Sequence, residues 1–146
     1  MSTTTLPLVS IIIPARNMQE YIGETLQSVC ETDYGNLEII VTDDGSTDRT
    51  AQIAEEYAAR VPRLNIIRGQ GRGVCHARNA AIRQARGKYI FPLDADDLLK
   101  PGFIAEGVQI LESDSNVKAV IPKAEFFGEK TGEWKLPQFS IRALAR

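Results

Sequence analysis

Past the midpoint of the chain, "KYIFPLDADDLLKPG" places Asp94, Asp96 and Asp97 directly after an apolar run, Tyr89 to Leu93. Carboxylates this close repel one another unless water, a helix dipole or a cation offsets the charge. Two chemistries meet that demand. The acids form a turn and cap a helix beginning at Pro101. Alternatively, Asp94 and Asp96, which flank one residue where a strand breaks into a turn, face a single cation. Capping needs one acid, and three are present. Oxygen donors without Cys or His suit Mg²⁺ or Mn²⁺ and argue against zinc. An ion held by so few protein ligands takes the others from water and substrate phosphates.

Two more segments carry chemistry. In "TDDGSTD" (Thr42 to Asp48), Gly45 relaxes a strand-to-helix turn and Ser46 or Thr47 caps the next helix. On the other reading, one carboxylate accepts a hydrogen bond from a base ring N–H and so selects its ligand. In "RGQGRGVCHARN" (Arg68 to Asn79), Gly69, Gly71 and Gly73 invite a dinucleotide fingerprint. That spacing requires glycine where Val74 and His76 stand, which excludes a dehydrogenase of that type. The glycines instead shape a loop at a cleft rim, with Arg72 and Arg78 able to meet phosphate charge. His76, the single histidine, is paired by no motif with a nucleophile or a third group and reads as a rim or packed residue.

These segments need elements to hold them. Short Ile/Val-rich runs at Leu8–Ile13, Leu37–Asp43, Leu64–Arg68, Lys88–Asp94 and Lys118–Phe126 read as buried strands. Apolar residues at steps of three and four mark helices between them: Met18 to Cys30, Thr50 to Val61, Val74 to Ala85, and Pro101 to Leu111. The order β-α-β-α-β-α-β-α-β predicts an α/β fold, a mostly parallel Rossmann-like sheet with helices on both faces. Ligands of such sheets bind at the carboxyl ends of the strands, where "PARN" (Pro14 to Asn17), "TDDGSTD" and "LDADD" gather on one edge.

With 146 residues, 43% hydrophobic and 25% charged, the chain is sized for one ordinary domain. A net charge of −2 predicts no nucleic-acid partner. Cys30 and Cys75, far apart and without CxxC spacing, point to reduced thiols in a cytosolic setting. The N-terminal apolar run, Val9 to Ile13, is too short for a signal peptide or a membrane span. From about Gly128 the sequence turns polar and loses its period. With about twenty residues after the fifth strand, one sheet edge is expected to stay uncovered and to favour self-association or a partner. A phosphoacceptor signalling domain shares the acidic cluster, but its acid pair follows the first strand, where this chain has "PARN".

Together, "VSIIIPARN", "LEIIVTDDGSTDRT" and "GRGVCHARNAAIRQARGKYIFPLDADDLLKPGF" resemble, in order and spacing over residues 8 to 126, the inverting family 2 glycosyltransferases of the GT-A fold. The resemblance implies residues 1–127 as a nucleotide-sugar-binding domain and 128–146 as a tail that begins an acceptor-side half. It implies transfer of a sugar from a nucleotide-diphospho-sugar, UDP-sugar first, to a hydroxyl of a glycan, lipid or other acceptor, with Mg²⁺ or Mn²⁺. Pro14, Ala15, Arg16 and Asn17 would line the base and ribose pocket. Asp44, with Asp43 nearby, would accept from the uracil N–H, and Arg78 would lie near the nucleotide. Asp94 would approach the ribose or the metal's water shell, and Asp96 would ligate the metal, with Asp97 ranked third.

Two departures follow. Arg16 stands where the family often has an aromatic, although a guanidinium plane also stacks on a base. The general base expected beyond the fifth strand has no motif here, though Glu125 and Glu129 lie near the start of that region. The chain therefore reads as the donor half of an enzyme, with a non-catalytic nucleotide-sugar-binding or scaffolding module as the alternative. The full-length protein is expected in the cytoplasm, peripheral to the inner face of the membrane.

Overall fold

The computed structural model describes residues 5–128 and 131–134. Elements follow the order β1 (Val9–Ala15), α1 (Ile22–Cys30), β2 (Leu37–Asp43), α2 (Thr50–Ala58), β3 (Leu64–Arg68), α3 (Val74–Gln84), β4 (Tyr89–Pro92), α4 (Phe103–Ser113), β5 (Ala124–Phe126) and β6 (Gly132–Trp134). The first four strands form a parallel sheet in the order β3-β2-β1-β4. Every residue of β1 and β2 is buried, as expected for central strands covered on both faces.

Side-chain alternation divides the sheet between two cores. Ile11, Ile13, Ile39 and Val41 join Ile22, Leu26 and Val29 of α1, Ala54 of α2, and Ile104 and Val108 of α4. Ile12 and Ile40 point the other way and pack with Ala81 of α3. Each βαβ crossover thus buries a helix stripe on a strand face, and the sheet's carboxyl ends stay open to loops.

The fifth strand departs from expectation. Only Ala124–Phe126 is extended, and it pairs antiparallel with β6, Ala124 opposite Trp134 and Phe126 opposite Gly132, outside the parallel sheet. Pro122 interrupts the apolar run, and Gly128 at φ +82° and Gly132 at φ +132° favour a close return of the chain over a long crossover. Contacts divide the chain into two compact units, 1–109 and 110–146. α4 also starts later than expected, at Phe103, because Gly102 sits at φ +79°, outside helical space. None of the three aspartates therefore stands at its cap.

Candidate functional site

Hydrogen bonds stitch the loops after β1 and β2 together. The Asp44 N–H donates to Ala15 O (2.8 Å) and the Asn17 N–H to Ser46 Oγ (3.0 Å), while Thr47 N–H donates to Asn17 Oδ1 (2.9 Å). Asp48 accepts from Gln19 N (3.1 Å), Thr50 N (2.9 Å) and Thr50 Oγ1 (2.6 Å). The expected capping by Ser46 or Thr47 is thus replaced. Ser46 and Thr47 bind the neighbouring loop, and Asp48 takes the turn before α2. Burial works against ionisation of Asp48, but the Thr50 hydroxyl and the N–H donors outweigh it and lower its pKa.

Asp44 is 2% exposed. Its carboxylate accepts from Gly73 N (2.7 Å) and Arg72 N (3.0 Å). Burial opposes its charge, yet the backbone N–H groups of Gly73, Arg72 and Gly71 and the Arg16 guanidinium hold its carboxyl below the ordinary value. The glycine loop is shaped to wrap this carboxylate. A Cβ at Gly69 would come 2.8 Å from Asp44 Oδ1, and Gly71 and Gly73 take φ of +70° and +95°. The Arg16 guanidinium lies over Gly71, its Nη1 3.7 Å from the place a Cβ there would occupy.

At the end of β4, buried Leu93 and Ala95 alternate with exposed Asp94 and Asp96, which puts both carboxylates on the outer side of the turn. Asp97 N–H closes that turn on Asp94 O (3.1 Å). Helix α1 fixes the segment from beneath. Thr25 Oγ1 donates to Ala95 O (2.9 Å), and Ser28 Oγ accepts from Leu99 N (3.0 Å). These two positioning residues carry no motif of their own; the signal the sequence holds is that Thr25 falls on the helix face marked by Ile22, Leu26 and Val29. Asp97 has its carboxyl pKa raised, first by desolvation and then by the charges of Asp96 and Asp94.

One cleft of about 410 Å³ is lined by Pro14, Ala15, Arg16, Asp44, Arg78, Asp94 and Asp96, together with Met18, Gly73, Val74, Ala77 and Ala95. Asn17 and Asp43 do not line it. Asn17, at φ +53°, serves the loop stitching above. Asp43 is buried and engaged by Arg68 Nη1 (3.1 Å) and the Ser46 N–H (3.2 Å), while Arg68 also pairs with Glu55. His76 and Arg72 line a second recess of about 280 Å³ behind Asp44. Glu125 lies in β5 opposite Glu133, and Glu129 falls outside the described residues.

The donor set decides which cation the cleft fits. Asp94 and Asp96 offer only carboxylate oxygen, and the described residues contain no group of three or more His, Cys, Asp or Glu able to hold a metal. An incomplete oxygen shell suits Mg²⁺ or Mn²⁺ shared with a phosphate and does not suit a closed zinc site.

Residues 10–145 match the family described as Glycosyl transferase family 2. The chain is 44% identical over 96 residues to a chondroitin synthase of Escherichia coli, covering 66% of this chain and 14% of that protein. It is 38% identical over 125 residues to an uncharacterized glycosyltransferase of Haemophilus influenzae, covering 85% and 39%. Among solved structures, S. aureus TarS 1–349 in complex with UDP-GlcNAc superposes with a TM-score of 0.67 at 30% identity over 72% of this chain and 31% of that one. The mannosyltransferase PcManGT from Pyrobaculum calidifontis, in complex with GDP-Man and Mn²⁺, gives 0.69 at 34% identity over 74% and 33%. The chain thus spans well under half the length of each of these proteins. By the family match over most of its length, and with the parallel α/β sheet that presents these motifs on one edge, the chain belongs to glycosyl transferase family 2.

Proposed function

We propose that this chain is the donor-binding part of a glycosyltransferase that moves a sugar from a nucleotide-diphospho-sugar, UDP-sugar first, to an acceptor hydroxyl of a glycan or lipid with inversion. The observation that carries this reading is the single cleft in which buried, ionised Asp44 and exposed Asp94 and Asp96 share a lining with Arg16 and Arg78. Relatives named for UDP-GlcNAc and for GDP-Man with Mn²⁺ support the donor class and the metal.

In this reading Asp44 accepts the ring N–H of the base, and the glycine loop keeps it charged to do so. Pro14, Ala15 and Arg16 form the wall against base and ribose, the guanidinium of Arg16 stacking where an aromatic often stands. Asp43 and Asn17 act one step back, by holding the loops. Asp94 meets the ribose and, with Asp96, holds Mg²⁺ or Mn²⁺, while Arg78 meets the phosphates. A bound divalent ion supplies neutralisation of the charge that builds on the departing diphosphate. The general base belongs to the acceptor side that residues 128–146 begin. The unpaired Cys30 and Cys75 support a cytoplasmic setting, with the full-length protein at the inner face of the membrane. No helix among the described residues is long and apolar enough to cross one.

Sugar transfer from UDP-, GDP- and dTDP-sugars to a panel of hydroxyl acceptors tests the reading. Nucleoside diphosphate release greatest from a UDP-sugar, with the product's anomeric centre inverted by NMR, is expected. A retained anomeric centre contradicts inversion, and the absence of binding by any nucleoside diphosphate contradicts the whole assignment.

A further inference from the structure

The Arg78 Nη2 donates to Asp94 Oδ1 at 2.7 Å, so one of the two acids best placed for a cation already carries one. The Asp94 side chain is 58% exposed and that of Arg78 33%, and both residues line the same cleft as Asp96. The pair is therefore wet and exchangeable rather than a buried structural link. Arg78 is also incompletely satisfied, because its Nε is buried and has no hydrogen-bond partner among the described residues. A group with an orphaned donor, held by one bond to an exposed acid, gains by moving to a ligand that accepts two or three hydrogen bonds at once, and a diphosphate does that.

Resting on the reading of Asp94 and Asp96 as the metal's ligands, we infer that Arg78 competes with a divalent cation for Asp94. The cation then binds tightly only together with a phosphate that draws the guanidinium away. A doubly charged ion placed about 6 Å from a guanidinium in water-like surroundings meets a repulsion of roughly a tenfold loss in affinity. Diphosphate binding lifts that penalty, because the guanidinium turns to the phosphate oxygens and the carboxylate is left to the metal. Arg78 thus makes metal and nucleotide arrive as a unit, and it keeps the acidic turn from collecting cations alone.

Mn²⁺ binding followed by electron paramagnetic resonance, with and without UDP, tests this on the wild-type chain and on Arg78→Gln, Arg78→Lys and Asp96→Asn. Arg78→Gln should bind Mn²⁺ without UDP about tenfold more tightly than wild type, and UDP should raise its Mn²⁺ affinity less. Arg78→Lys, which keeps the charge, should resemble wild type, and circular dichroism checks that each variant is folded. Equal or weaker Mn²⁺ binding by Arg78→Gln without UDP, with binding still lost in Asp96→Asn, overturns this inference alone. Mn²⁺ binding that is indifferent to Asp96, or absent from every form even with UDP, overturns the metal reading and this inference with it.

Discussion

At opposite ends of the parallel sheet, a single buried glutamate of β2 and a cluster of three aspartates after β4 have opposite fates. At the amino ends, Glu38 of β2 is 4% exposed and saturated. It accepts from Ser10 Oγ (2.5 Å), Arg86 N (2.6 Å), Arg86 Nε (3.1 Å) and Gly87 N (3.2 Å). A Cβ at Gly87 would stand 2.5 Å from Ser10 Oγ, so the clamp closes only around glycine. At the carboxyl ends, Asp94, Asp96 and Asp97 are exposed and crowd one another, and among the described residues an arginine, Arg78, pairs with Asp94 alone. The first acid is consumed by the fold, which leaves nothing for a ligand. The others are left under-compensated, and the fold tolerates them because water screens them and α1 holds their turn through Thr25 and Ser28. A charge that its own chain has not satisfied is the better pointer to function.

The two groups should part company under mutation. Glu38→Ala strands the Ser10 hydroxyl and the Arg86 N–H, while the Gly87 N–H keeps Ser10 Oγ (2.8 Å), and should cost about 3 kcal/mol in chemical denaturation. A loss below about 1 kcal/mol would dissolve the contrast. Asp44→Ala sits between the groups, because its carboxylate both holds the glycine loop and faces the cleft. It should lose about 2 kcal/mol and also the preference for UDP over CDP, whose ring N3 carries no hydrogen, in competition binding; an unchanged preference removes Asp44 from the base pocket. Asp97→Asn should leave stability unchanged or raise it by about 0.5 kcal/mol, since it relieves repulsion at an exposed site.

Acid sharpens the same contrast. The folded pKa values of Glu38, Asp44 and Asp48 are all lowered, Glu38 because the hydrogen bonds from Ser10 and Arg86 outweigh the cost of its burial. The folded chain binds fewer protons at these sites, so their stabilisation is present above the ordinary glutamate value of 4.5 and is lost as pH falls through the folded values. Asp97, with its pKa raised, contributes in the opposite sense. Denaturation midpoints should therefore drop below pH 4.5 in the wild type and drop less in Glu38→Gln. The smallest effect is expected at the edge of the sheet. β4, with Ile90 exposed, ends the parallel sheet, and weak self-association there should appear in light scattering at high concentration; a monomer throughout removes that contact.

Much of this was legible because the signals were local. β2 and β3 lie where their Ile-rich runs place them, and the three motif loops come to one edge because parallel strands leave them no other place. β1 runs on through Pro14 and Ala15, since parallel pairing with Thr42 and Asp43 extends it past the apolar stretch. What escaped depends on partners distant in sequence. Nothing local in "TDDGSTD" tells that Asp43 faces Arg68 while Asp44 faces the glycine loop, because that division follows from strand alternation together with β3 as neighbour. The supports Thr25, Ser28 and Asp48 are ordinary helix and turn residues until the fold brings Ala95, Leu99 and Gln19 to them. The fifth run reads as a strand from composition, but glycine geometry after it returns the chain antiparallel.

The under-compensated acids of the β4 turn are proposed to hold a divalent ion together with a nucleoside diphosphate. Calorimetric titration of UDP into the wild-type chain and Asp96→Asn, each with Mn²⁺ and with a chelator, tests it most directly. UDP should bind the wild type at least about tenfold more tightly with Mn²⁺ than with chelator, and Asp96→Asn should lose that difference while unfolding at the same temperature. Equal UDP affinity with metal and with chelator in the wild type would contradict the account.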